Sequence, residues 1–167
     1  MRAVESDVAM IAKDYILVGR FEHKVDARRR VRLPAPWYDM MGEPKQVIVM
    51  VDPEEKCLHL VPVETMEARM KVLRRKSVND PAILRALEVL GKNMEKIEVD
   101  AQHLIRISDR MLDFAGIRQR VVFTGSALTA KLWNPTALRR FESVIDPLYD
   151  EIMKESRKAK KRVPRHC

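Results

Sequence analysis

The chain has 167 residues, of which 46% are hydrophobic and 34% charged, with a net charge of +8. That supplies the core of one compact domain or of two small interlocked units, and it excludes a wholly disordered chain. No apolar run reaches the length of a membrane span, and the opening residues lack the basic-then-apolar order of a secretion signal.

Residues 1–13 read as a loose arm. Residues 15–25 and 30–33 read as two strands joined by a tight turn. In Arg30-Val31-Arg32-Leu33 apolar and basic residues alternate, which places the arginines on one face. Pro34 stops the strand, and 35–42 read as a short helix ended by Gly42. Residues 46–51 (QVIVMV) form an apolar strand expected to be buried on both faces, and 57–61 alternate again. Helices are predicted over 63–77 and 81–91. Asp80 is the N-cap of the second, Pro81 fits its first turn and Gly91 its C-cap. A strand near 95–99, a turn at 100–103 and a strand at 104–107 follow. Ser108 starts a short helix to Ala115, closed by Gly116, and strands are predicted at 120–124 and 130–133. Residues 136–158 read as a long helix that Pro147 should break or kink. Its apolar face (Leu138, Phe141, Val144, Ile145, Leu148, Ile152) suits either cover of the sheet or an oligomer interface. The stripe Ile83, Leu84, Leu87 and Leu90 reads as sheet cover.

This order of elements occurs twice. Val25, Asp26, Ala27 and Arg32 match Val99, Asp100, Ala101 and Arg106 at an offset of 74, and the same offset pairs Asp39 with Asp113, Gly42 with Gly116, Val47 with Val121 and Leu58 with Leu132. Eight identities fall in 43 paired positions, 20–62 against 94–136, where chance at ordinary residue usage gives roughly two or three. A unit of this size buries too little surface to fold easily alone. Two copies can interlock their hairpins around a pseudo-twofold axis. The expected fold is therefore α+β, a swapped-hairpin β-barrel from two repeats, with a helical insert between them and a C-terminal helix. The expected boundaries are 1–19 for the arm and first strand, 20–67 for repeat 1, 68–93 for the insert, 94–137 for repeat 2 and 138–167 for the last helix and basic tail.

The charge is concentrated. Residues 154–167 hold seven Lys or Arg against one Glu, and 28–32 read RRRVR. Such patches are the footprint of a nucleic-acid binder, although a tail alone serves equally as a solvated, solubilising segment. Arg28, Arg29 and Arg30 lie in or beside the first turn and Arg32 on the outer strand face. Guanidinium groups grip phosphates and the guanine edge. The other reading of these four is a solvated face or a subunit salt bridge. Asp26 is expected to cap the turn or pair with Arg30, and Asp100 to cap the second turn. The two cysteines, Cys57 and Cys167, make no disulfide framework and point to a reducing, cytoplasmic setting. No CxxC pair or clustered Cys/His set suggests a metal, and no cofactor or small-molecule substrate is expected. Cys57 and His59 share one strand face, but Cys57 on an apolar strand reads as core packing. Neither a phosphate loop nor a nucleophile elbow is present, so the chain reads as a non-enzyme.

Asp26-Ala27-Arg28-Arg29-Arg30, followed by Val31-Arg32-Leu33-Pro34, resembles the D-x-x-x-R hairpin motif of the MraZ family, bacterial regulators built from two AbrB-like units. Gly19 and His23 resemble the G-x-x-x-H of the family's opening strand. Cys57-Leu58-His59-Leu60 and Lys131-Leu132-Trp133 look like its closing strands. The resemblance spans about 15–150. It implies a ring-shaped homo-oligomer that binds double-stranded promoter DNA at direct repeats, regulates the division and cell-wall gene cluster, and works in the nucleoid, away from membranes. Three positions depart from the pattern. Arg29 and His103 stand where the family usually has glycine, and Leu104 replaces the second motif's arginine. Gln102, His103 and Arg106 are what remain for a second-turn contact, with His103 as either a phosphate contact or an inert surface residue. The alternative is a ring-forming interaction protein with weakened or lost DNA reading.

Overall fold

The computed structural model describes residues 15–77, 80–126 and 129–161. The expected N-terminal arm and the end of the basic tail, with Cys167, lie outside the described residues. The chain divides into two compact units, Met1–Asn134 and Pro135–Cys167.

The first unit runs β1 (Arg20–Lys24), β2 (Arg30–Arg32), α1 (Ala35–Met40), β3 (Gln46–Asp52), β4 (Cys57–Pro62), α2 (Val63–Ser77) and α3 (Pro81–Lys92). It continues with β5 (Met94–Glu98), β6 (Leu104–Arg106), α4 (Asp109–Ala115), β7 (Arg120–Gly125) and β8 (Ala130–Trp133). Six strands form one antiparallel sheet in the order β1-β7-β8-β4-β3-β5, and β2 pairs with β6 in a separate ribbon. Each opening strand lies against the other half of the chain: β1 on β7, β5 on β3. The register keeps the 74-residue offset. Phe21 faces Phe123 where Glu95 faces Val49, and Val31 faces Ile105 as Leu58 faces Leu132.

The expected closed barrel does not form: β1 and β5 are the outer strands of the sheet. The cause is strand length. β2 and β6 have three residues each, and only one bridge, Val25 to Val31 or Val99 to Ile105, ties each to its own opening strand. Their remaining ladder groups are used on each other.

The alternation seen in the sequence decides the core. Val31, Leu33, Ile105 and Ile107 are fully buried, and they meet Leu58, Leu60, Val121, Phe123 and Leu132 from the sheet. Burial of each such side chain stabilises by about 1.5–3 kcal/mol. Phe21, Trp37 and Phe123 stack edge to face at 5.2 and 6.0 Å. The apolar strand β3 is buried at Val47, Ile48 and Val49 and only half-buried beyond. Ser108 caps α4 by accepting from the Met111 N–H at 3.3 Å, and Gly116 (φ 63°) closes it in the left-handed region, as its position predicts.

Two helix readings change. Asp80 caps α3 as expected, but Gly91 does not end it. The helix runs to Lys92, because the Asn93 side-chain amide donates to the freed Val89 carbonyl at 2.9 Å. α3 buries none of its residues, and Leu84 and Val89 stay exposed, so it covers little of the sheet.

The second unit's described part is one helix, α5 (Pro135–Lys161), continuous through Pro147. The expected break is absent. The carbonyl that Pro147 leaves without a partner belongs to Ser143, on an exposed stretch open to water. Val144, Ile145, Leu148, Tyr149 and Ile152 remain exposed along it.

Candidate nucleic-acid interface

The two turns are built alike. The Asp26 carboxylate accepts from the Arg28 and Arg30 backbone N–H groups, both at 2.8 Å, and Asp100 accepts from those of Gln102 and Leu104 at 2.8 and 2.9 Å. In each turn the residue three after Asp donates back to the Asp carbonyl, Arg29 at 3.0 Å and His103 at 2.9 Å. Those two residues have φ of 61° and 62°. This is the left-handed conformation that glycine adopts without cost, so the glycine departures fall on the two residues where the backbone most favours glycine. The turns also hold each other: Leu33 N–H donates to the His103 carbonyl at 2.9 Å, and Ile107 N–H to the Arg29 carbonyl at 3.0 Å.

Only the first turn carries the ion pair. Arg30 Nε donates to Asp26 Oδ2 at 2.7 Å, so Asp26 both caps the turn and pairs with Arg30. The Arg30 backbone N–H, then its guanidinium and the Arg28 N–H, hold the Asp26 carboxyl below the ordinary carboxylate range against an opposing desolvation.

The structure distributes the arginines differently from the sequence pattern. Arg29 Nε pairs with Asp109 at 2.7 Å. Arg32 Nη1 donates to the Gln102 carbonyl at 2.7 Å, so it ties the first strand to the second turn. Arg28 is exposed, and among the described residues its guanidinium has no partner. In the β2–β6 ribbon Val31 and Ile105 point inward and are fully buried, while Arg30 lies directly opposite Arg106 and Arg32 opposite Leu104. Arginine thus fills three of the four outward ribbon positions. Like charges facing across a ladder oppose folding, a cost that the Arg30–Asp26 pair and the Arg32 bond to the Gln102 carbonyl offset. His103 is half-buried and stacks on Tyr38, with ring centroids 3.9 Å apart and planes at 22°.

Three basic residues that the motif did not indicate stand around the first turn. A groove of about 510 Å³ there is lined by Lys24, Asp26, Arg29, Arg118 and Arg120, among others. Their partners at the 74-residue offset are Glu98 for Lys24, Pro44 for Arg118 and Gln46 for Arg120. The first turn has the larger basic rim, although Arg118 pairs with Asp113 and Arg120 with Glu22, and at the second turn Lys45 alone stands where the first has Gln119. Inspecting the offset for charge rather than identity would have found this. His23, from the opening strand, stands edge-on to Phe123 at 5.5 Å. Burial holds its imidazole below the ordinary value, and the Arg32 charge adds to that, while a hydrogen bond with the Arg32 backbone opposes it.

These features define a class: an α+β protein with an antiparallel sheet and a paired, arginine-bearing ribbon. No family model matches the chain. It is similar to proteins named transcriptional regulator MraZ. The one from Bifidobacterium longum is 26% identical over 137 residues, 82% of this chain and 89% of that protein. That from Thermoanaerobacter sp. is 27% identical over 140 residues, 82% and 94% of the two chains. That from Rhodospirillum rubrum is 27% identical over 137 residues, 79% and 86%. The chain is thus similar over about four-fifths of its length to members of the MraZ family, which carry the name of a regulator and not of an enzyme. Among the described residues no helix is long and apolar enough to cross a membrane.

Proposed function

We propose that this chain is a sequence-specific DNA-binding transcriptional regulator that acts as a ring-shaped homo-oligomer on direct repeats in a promoter of the division and cell-wall cluster. The name of its relatives supports regulation of transcription. The observation that carries DNA contact is the ribbon. Arg30 and Arg106, from the two halves, face each other on an outer surface that also holds Arg32, with Arg28 free of partners among the described residues beside it. We read the exchanged opening strands as the swapped hairpins of a duplicated AbrB-like unit, and the boundaries 20–67 and 94–137 as its two copies.

The halves have unequal roles. The first turn, with its basic rim, meets the DNA through Arg28 and Arg30. The second turn supports it: Gln102 holds Arg32, His103 packs on Tyr38, and Arg106 completes the first half's patch instead of replacing the missing arginine at Leu104. Arg29, paired with Asp109, sets the groove wall. One turn makes few contacts, so affinity comes from several subunits meeting spaced repeats. The lack of an arginine at Leu104 also favours a second reading, a ring-forming interaction protein with weak DNA binding. Fluorescence anisotropy separates the two. The regulator prefers repeat-bearing over scrambled duplex, and Arg30→Ala weakens that binding at least tenfold, about 1.4 kcal/mol, with the oligomer intact. Equal affinity for both duplexes supports the interaction protein, and unchanged binding by Arg30→Ala removes Arg30 from the site.

A further inference from the structure

The β3–β4 hairpin gathers four ligand-type side chains that DNA contact does not use. Asp52 ends β3, Glu55 lies in the turn, and Cys57 and His59 follow on one face of β4. One donor atom from each stands within 4.8 Å of all the others. His59 Nε2 is 2.9 Å from Asp52 Oδ2, and Cys57 Sγ is 3.8 Å from Glu55 Oε2. Neighbouring ligands on a tetrahedral ion with bonds of about 2.0–2.3 Å stand about 3.3–3.8 Å apart. Side-chain adjustment alone closes the difference. The sequence reading that no clustered Cys/His set exists is corrected here, since the spacing D-x-x-E-x-C-x-H spreads the ligands over two strands and a turn.

We propose that Asp52, Glu55, Cys57 and His59 bind one divalent transition-metal ion of the zinc type. The mixed sulfur, imidazole and carboxylate set suits such an ion better than magnesium or calcium, which prefer oxygen alone. The outer shell is already built. His59 Nδ1 is 3.2 Å from Thr129 Oγ1, which is itself 2.7 Å from Ser126 Oγ. With its proton on Nδ1 and donated to Thr129, the imidazole presents the Nε2 lone pair to the ion. On binding, the Cys57 S–H bond breaks, its electron pair forms the sulfur–metal bond, and the proton leaves to water. No oxidation occurs. Four protein ligands leave no open position, so the ion fastens the hairpin and does not catalyse. In the structure the cation beside Glu55 is the Lys131 ammonium, so Lys131 competes with the metal for that carboxylate.

The test is titration of the full chain, carrying Cys167→Ser so that Cys57 is its only thiol, with cobalt(II). The expected result is a thiolate-to-cobalt charge-transfer band with intense visible bands of tetrahedral cobalt, saturating at one ion per chain and erased by zinc. Cys57→Ser abolishes the charge-transfer band, and Lys131→Met tightens binding at least tenfold. No such band at a large excess of cobalt, or a band that survives Cys57→Ser, overturns the proposal. Should Cys57→Ser fail to fold, Lys131→Met decides alone, and unchanged or weaker binding by that variant overturns it.

Discussion

Glycine substitution at the two left-handed turn residues should have unequal effects on stability. Arg29 and His103 share a φ near 60°, which costs an L-residue about 1–2 kcal/mol. Glycine removes that strain but returns about 0.5–1 kcal/mol of freedom to the unfolded chain. The net relief is about 0.5–1 kcal/mol at either site. Arg29→Gly also loses the pair with Asp109, whose side chains are 45% and 70% exposed. Such a pair contributes at most a few tenths of a kcal/mol, about 0.5 or less. Arg29→Gly is therefore neutral or slightly stabilising. His103→Gly loses the stack on Tyr38 at 3.9 Å, worth about 0.5–1.5 kcal/mol, together with roughly 1 kcal/mol of apolar contact from a half-buried ring. The balance is a loss of about 1 kcal/mol, or about 3–5 °C in Tm for a unit of this size. The backbone bonds of His103 to Asp100 and Leu33 survive either change. Urea unfolding of both variants, with Tyr38→Ala and the Tyr38→Ala/His103→Gly pair, measures this as a coupling of about 1 kcal/mol. Equal shifts for the two glycine variants, with no coupling between Tyr38 and His103, would refute the reasoning.

Stability should also fall in acid in two steps. Burial holds the folded His23 imidazole below its ordinary value of 6.5, so the unfolded chain takes the proton first. The stability is complete above that value and is lost as pH drops through it. A further loss starts near 3.8, because Asp26 and Asp52 are held below that value. For Asp52, burial pushes upward but the Glu55 N–H, the His59 ring and the Glu54 N–H outweigh it. Urea midpoints across pH check this, and His23→Gln should remove the first step only. Burial pushes the Cys57 thiol up to about 12, so in a Cys167→Ser background a disulfide reagent at mildly alkaline pH should react only after denaturant is added. Rapid reaction of the native chain would contradict the burial.

Most elements are legible in the sequence because local rules govern them. Alternation in Arg30-Val31-Arg32-Leu33 separates core from surface, and the Ser108 and Gly116 caps sit on the residues that cap geometry favours. Partner choice is not local. Alternation assigns a face to β1 but does not say that the face lies on β7, so the open sheet replaces the expected barrel. The site divides in the same way. Asp26, Arg28 and Arg30 are visible as a motif. The Arg30–Arg106 apposition, the Arg118 and Arg120 rim and the Asp52–His59 cluster exist only once distant strands meet. Pro147 misleads because a helix in water tolerates a lost bond that a packed one does not.

The proposed DNA binding depends on positive charge at the first turn and ribbon meeting phosphate. The direct measurement is the slope of log Kd against log salt for a repeat-bearing duplex, compared between the natural chain and Arg28→Ala/Arg30→Ala/Arg106→Ala. Each lost phosphate contact lowers the slope by about 0.9, so a decrease of about 2–3 per bound subunit is predicted. An unchanged slope with unchanged affinity would place the DNA elsewhere on the molecule and contradict the account.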